Sequence, residues 1–222
     1  MTTIENILVP FVNSPSAIGA LKTAISISNI YKAKLHIIHV TTEKSGDNVL
    51  DKVKEICTKE NAVFTFIERS GSVHKDINKA EKEINAGLIV MGAYGVTGWQ
   101  QLWVGSNAFK VVSTSQCPVL TLQGDVSSFK GFHKIMLPLD DSDETRQKVN
   151  WVTNLAKGFE AEVLIFNTTK VKGEDSGKNL RIMRTRWKPC SPRKASRPVL
   201  MKATAIISLK TASSLPRSTI AT

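Results

Sequence analysis

Leu88-Ile89-Val90-Met91-Gly92-Ala93-Tyr94-Gly95-Val96-Thr97-Gly98-Trp99-Gln100-Gln101-Leu102-Trp103-Val104-Gly105-Ser106-Asn107-Ala108 decides the fold. Leu88–Met91 is a short apolar run that reads as a buried strand. The glycine-bearing segment Gly92–Gly105 follows it. Ala108, Val111 and Val112 then recur at helical spacing, and Val119–Leu122 is the next strand. Strand, glycine turn, helix, strand is a βαβ crossover, and crossovers of that length join parallel neighbours.

Upstream the same alternation holds. Ile7–Phe11 predicts the first strand. Ser14 predicts an N-cap with Pro15 at the first helical position, and Ile18, Leu21, Ala24 and Ile25 form a helical stripe. Lys34–Val40 predicts strand two. Asp47 is placed to cap a helix striped by Val49, Leu50, Val53, Ile56 and Cys57. Val63–Ile67 predicts strand three. Val73–Asn85 predicts a helix with Ile77, Ala80 and Ile84 inward and Gly87 at its C′ position. Five strands spaced by helices imply an α/β fold, a doubly wound parallel sheet covered on both faces. In such folds ligands bind outside the carboxyl ends of the strands, at the switch point. Gly92–Gly105 begins at such an end.

Downstream the pattern restarts. Lys134-Ile135-Met136-Leu137-Pro138-Leu139-Asp140 resembles Asn6-Ile7-Leu8-Val9-Pro10-Phe11-Val12, and each run has a Ser four residues past its Pro, Ser14 and Ser142. Val149, Val152, Leu155 and Ala156 mark a helix, and Glu162–Phe166 takes the place of Lys34–Val40. This predicts residues 1–125 as a first domain, Gly124–Gly131 as a linker, and 132–167 as an incomplete second copy. Its apolar strands are expected to pack on the first domain or on another chain.

Charge divides the chain at the same place. The 222 residues hold 30 Lys and Arg against 19 Asp and Glu, a formal net charge of +11. Asp175 is the last acid, and residues 176–222 carry 11 of the bases, so residues 1–175 balance 19 bases with 19 acids. A neutral body excludes reading it as a basic nucleic-acid binder. Residues 168–222 are expected to be a basic, disordered tail broken by Pro189, Pro192 and Pro198. A reading frame displaced after about residue 178 is favoured over a genuine tail, because the break falls inside a repeat that had begun normally. Cys57, Cys117 and Cys190 form no CxxC pair and no disulfide framework, and the first residues have neither a basic n-region nor a membrane-length apolar run. A cytoplasmic location is expected.

Within the glycine segment, two residues separate Gly92 from Gly95, nine separate Gly95 from Gly105, and Ser106 follows. Glycines let backbone N–H groups approach a ligand closely, and a helix start favours anions. That chemistry reads as a phosphate cradle. The alternative is a glycine-rich turn that only lets the strand cross to its helix.

Gly-x2-Gly-x9-Gly-Ser after a strand resembles the nucleotide-binding signature of the universal stress protein family. The flanks Ile7-Leu8-Val9-Pro10, Gly105–Val112 and Cys117-Pro118-Val119-Leu120 agree. The resemblance covers residues 4–122 and restarts over 132–167, like a tandem member with its second copy cut short. It implies an adenine nucleotide alpha hydrolase-like sheet of order 3-2-1-4-5, homodimers, and in some members ATP, with Mg2+ where a cation is bound, and slow hydrolysis at most. It implies phosphate and ribose contacts at Gly92, Gly95, Gly105, Ser106 and Asn107, with Met91 and Ala93 beside the first glycine. It implies an adenine contact at the Val40 backbone, and walls for base and ribose at Pro10, Phe11 and Val12. The family often has Asp where Val12 stands, and Val cannot accept a hydrogen bond through its side chain. Asp140 keeps that residue in the second copy, which lacks the glycine loop.

No catalytic or metal-binding residues are assigned. His36 and His39, three apart on a strand, face opposite sides and cannot form one two-ligand site. His74 and His133 have no partner in sequence. Cys117 reads as a packed side chain, Trp99 and Trp103 as packing, and Asp140, Asp141, Asp143 and Glu144 as acids favouring a helix start.

Overall fold

The computed structural model describes residues 4–41, 48–93, 106–122, 129, 131–139, 143–167, 181–185 and 205–208. The first unit runs β1 (Asn6–Pro10), α1 (Pro15–Tyr31), β2 (Lys34–Thr41), α2 (Val49–Lys59), β3 (Phe64–Ser70), α3 (Val73–Glu83), β4 (Leu88–Gly92), α4 (Ser106–Thr114) and β5 (Val119–Leu122). These five strands are parallel, in the order β3-β2-β1-β4-β5. Alternate residues feed two cores, as the period of a strand requires. Ile7, Val9, Phe11, Leu35, Ile37, Leu88 and Val90 face α1 and α2. Leu8, Ile38, Val40, Ile89 and Met91 face α3 and α4.

Most local signals hold. Ser14 caps α1 by accepting from the Ala17 N–H at 3.3 Å, and Pro15 opens the helix. Two expectations are corrected. Asn85, not Gly87, takes the left-handed conformation after α3, at φ 49°. Gly87 instead lies beside β1, its N–H bonded to Asn6 O at 2.9 Å. Val63 stands outside β3 and is 91% exposed. Asp47 lies outside the described residues; Asn48 is the residue at the start of α2.

The second unit opens with the same β-α-β order as the first. β6 (Lys134–Leu139), α5 (Asp143–Phe159) and β7 (Glu162–Asn167) follow the order of β1, α1 and β2. Asn6 pairs with Lys34 and Lys134 with Glu162, both 28 residues on and both parallel. Helices α1 and α5 each have 17 residues, and each is followed one residue later by a left-handed residue, Lys32 at φ 57° and Glu160 at φ 52°. The copy departs at β8 (Arg181–Thr185), which joins β7 antiparallel where β3 joins β2 in parallel. A further strand, β9 (Ala205–Ser208), pairs antiparallel with β5 at the edge of the first sheet. Both lie in the segment expected to be a disordered tail, so that segment contains two strands.

The two units share packing. Helix α1 has one charged residue, Lys22, and is buried on most of its circumference. Trp151 of α5 joins the same apolar cluster as Leu21 and Ile25, with Phe132, Phe159 and Tyr31 packed against it. A Cβ on Gly158 would lie 2.9 Å from Ile30 Cγ2 and 3.2 Å from Tyr31 Oη, so the last turn of α5 rests on the last turn of α1. Phe129, Phe132 and Phe159 meet edge to face, with centroids 5.0–6.1 Å apart. Helix α5 and Phe132 thus pack on the first unit, whereas the apolar strands β6 and β7, expected to do so, pair with each other and with β8.

Candidate functional site

The site follows from where strands stop pairing. β1 stays with β2 past its own end, through Phe11 N–H to Ile38 O at 2.8 Å. β4 stays with β5 through Ala93 N–H to Leu122 O at 2.7 Å. Between β1 and β4 the register ends at Leu8↔Ile89. The sheet therefore splits at its carboxyl end, between Val9–Val12 and Val90–Ala93. That is the switch point, since α1 leaves toward one face and α4 toward the other.

Several of the residues singled out from sequence lie at or just beyond the carboxyl ends of these strands. Pro10 ends β1, Phe11 is buried behind it, and Val12 is 53% exposed. Val40 and Met91 are buried near the ends of β2 and β4, and Ala93 is buried just beyond β4. Ser106 and Asn107 open α4, with Asn107 exposed. Gly95, Gly105, Trp99 and Trp103 lie outside the described residues, as does Asp140 of the second copy.

Gly92 has a packing reason to be glycine. A Cβ there would sit 2.7 Å from Ser16 Oγ, 2.8 Å from Ser16 C and 2.9 Å from Ala17 N. The first turn of α1 thus lies directly on the end of β4. Most of its donors are already used: Pro15 has none, Ala17 N–H reaches Ser14 Oγ, and Ile18 N–H reaches Ser14 O at 2.9 Å. The start of α4 differs from those of α2 and α3 in its charge. Neither α1 nor α4 has an acid in its first turn, whereas α2 and α3 have Asp51 and Asp76 there. An acid would offset the positive helix end, and the first turn of α4 has none.

Sequence reasoning missed Ser16 and Glu81 and placed His39 only by the face of its strand. Ser16 is buried, with its hydroxyl 3.4 Å from Ser14 Oγ and against Gly92. His39, 5% exposed, donates from Nδ1 to Phe11 O at 2.9 Å, and its Nε2 has no partner among the described residues. Glu81, 3% exposed, accepts two backbone bonds at the start of β5. The shared strand parity of Phe11 and His39 was the available signal for that bond. Only the fold reveals the others. His36 sits apart, its Nε2 3.2 Å from Asn6 Oδ1, and burial followed by Lys34 lowers its pKa. Burial pushes the Cys57 thiol up to about 11, and burial followed by Glu81 pushes the Cys117 thiol further up. Among the described residues, no group of three His, Cys, Asp or Glu side chains is placed to hold a metal ion. None of their helices is long and apolar enough to cross a membrane.

Residues 47–123 match the profile of the Universal stress protein family. The Universal stress protein YxiE of Bacillus subtilis is 26% identical over 146 residues, covering 54% of this chain and 99% of that protein. Over about its first half the chain is similar to universal stress proteins. A universal stress protein structure from Archaeoglobus fulgidus superposes with a TM-score of 0.58 at 17% identity, over 78% of this chain and 69% of that one. A functionally unknown protein from Pseudomonas aeruginosa superposes with a TM-score of 0.61 at 18% identity, over 74% of this chain. This chain spans 60% of that protein. These likenesses confirm the universal stress protein fold, including the sheet order 3-2-1-4-5.

Proposed function

We propose that residues 1–125 bind an adenine nucleotide, ATP, across the split carboxyl end of the sheet. The observation that carries this reading is the parting of β1 and β4 after Leu8↔Ile89, beside an α4 start with no acid in its first turn. The phosphates would lie against the backbone of Gly92, Gly95, Gly105, Ser106 and Asn107, beside Met91 and Ala93. The adenine would meet the Val40 backbone, and Pro10, Phe11 and Val12 would wall the base and ribose. Mg2+, where bound, would take its ligands chiefly from the phosphates. The chain would act as a cytoplasmic, stress-linked binding module, a homodimer, hydrolysing ATP slowly at most. Residues 132–167 would be an incomplete second copy, and the matched 28-residue strand offset supports that reading.

A second reading has specific support. The packing of α1 on Gly92 gives that glycine a structural purpose, and Val12 offers no side-chain acceptor. On that reading the first domain is a dimerisation module without nucleotide. Calorimetry of the full chain with ATP separates the two. Saturable heat supports binding. No heat and no thermal shift at millimolar ATP refutes it.

A further inference from the structure

Glu81 belongs to α3 but holds the far end of α4. Its Oε1 accepts from Gln116 N–H at 2.6 Å and from Cys117 N–H at 2.7 Å, the two residues that lead into β5. Three residues earlier on α3, Asn78 Nδ2 donates to Thr114 Oγ1 at 2.5 Å, and that hydroxyl donates to Lys110 O at 2.6 Å. One face of α3 therefore ties down the last turn of α4 and the turn after it.

The rest of the α4 contact is apolar. Helix α4 packs chiefly on α3, with Ala108 and Val111 in the same cluster as Ile77 and Ala80. Apolar packing is non-directional, so it resists a slide of α4 along its axis less than hydrogen bonds do. A carboxyl oxygen accepting two backbone N–H groups fixes a position. From that anchor, nine helical residues reach about 13 Å back to Ser106 at the start of α4.

We propose that Glu81 is a positioning residue for the nucleotide site. It sets where the first turn of α4 stands in the crevice, and so the affinity for phosphate more than for nucleoside. This rests on the nucleotide reading above. Glu81→Leu removes both acceptor bonds. Glu81→Gln keeps Oε1 and replaces only Oε2, which has no partner among the described residues.

The test measures ATP and adenosine affinities of the full chain and its variants. Glu81→Leu should weaken ATP about tenfold, the weight of a well-placed helix end, with adenosine unchanged. Glu81→Gln should restore ATP affinity to near the wild-type value. Equal losses for ATP and adenosine would mean Glu81 supports the fold alone and would overturn the proposal. So would a Glu81→Gln chain as weak as Glu81→Leu. If Glu81→Leu does not fold, Asn78→Ala carries the test: a selective loss for ATP supports the proposal, and no change overturns it. Wild-type chain that binds neither ligand refutes the nucleotide reading itself.

Discussion

Replacing Gly92 with Ala adds one methyl where the backbone of α1 already lies. Two of the three nearest atoms, Ser16 C at 2.8 Å and Ala17 N at 2.9 Å, are main chain in the first turn of a 17-residue helix. They cannot rotate away. Relief requires α1 to lift from β4, and α1 supplies Ala17, Ala20, Leu21 and Ala24 to the larger core. Overpacking of this kind costs about 1–3 kcal/mol. Restricting the unfolded chain returns about 0.4–1 kcal/mol at a compatible backbone, so the net loss should be about 1–2 kcal/mol. Gly87→Ala is the matched control. Its Cβ would meet Ile4 Cα at 3.5 Å and Asn6 O at 3.7 Å, ordinary contacts, so stability should hold or rise slightly. Urea unfolding of both variants reads the difference. Gly92→Ala as stable as wild type, or Gly87→Ala the less stable of the two, would refute the close approach of α1 to β4.

Other substitutions probe separate parts of the account. Val12→Asp should strengthen ATP binding severalfold by restoring an acceptor worth about 0.5–1.5 kcal/mol, and isothermal titration would show no gain if that wall is misplaced. Trp151→Ala should destabilise both units in one transition by about 3–5 kcal/mol, and two separate transitions in wild type would contradict the shared core. Glu55 is held down to about 2, first by hydrogen bonds from Lys52 and Lys59 and then by their charges. Its contribution is present above the ordinary carboxylate pKa and lost as pH falls through about 2, so Lys59→Ala should raise its NMR titration midpoint. Cys57, with its thiol pushed up to about 11, should resist alkylation in native protein at pH 8 and react in denaturant. The folded chain holds that proton longer than the unfolded one, so this stability is full below the ordinary thiol pKa and is lost as pH rises toward about 11.

The first sheet was legible because each strand is a short apolar run and each helix has a stripe or a cap. Ser14-Pro15 fixed the start of α1, and Lys34 and Val119 opened their strands as expected. Asn85 shows where local reading fails. Gly is the usual left-handed residue, but the helix ended at Glu83, four residues before Gly87, and Asn tolerates that conformation. Lone Lys22 in α1 was a readable sign that a second layer covers the helix. The site was legible only in part. The glycine spacing marked the carboxyl end of β4, yet Gly92 also answers to a contact with Ser16, seventy-six residues earlier in the chain. Glu81 looked like one more acid on a charged helix. Its burial depends on the turn before β5 folding back onto α3, which no local pattern records.

The central claim is that nucleotide occupies the crevice between the ends of β1 and β4. Amide NMR shifts of the full chain, followed as ATP is added, test it most directly. The account predicts saturable shifts at Phe11, Val12, Val40, Gly92, Ala93, Ser106 and Asn107, with the amides of β6 and β7 still. Shifts confined to residues outside that crevice, or none at millimolar ATP, would contradict it.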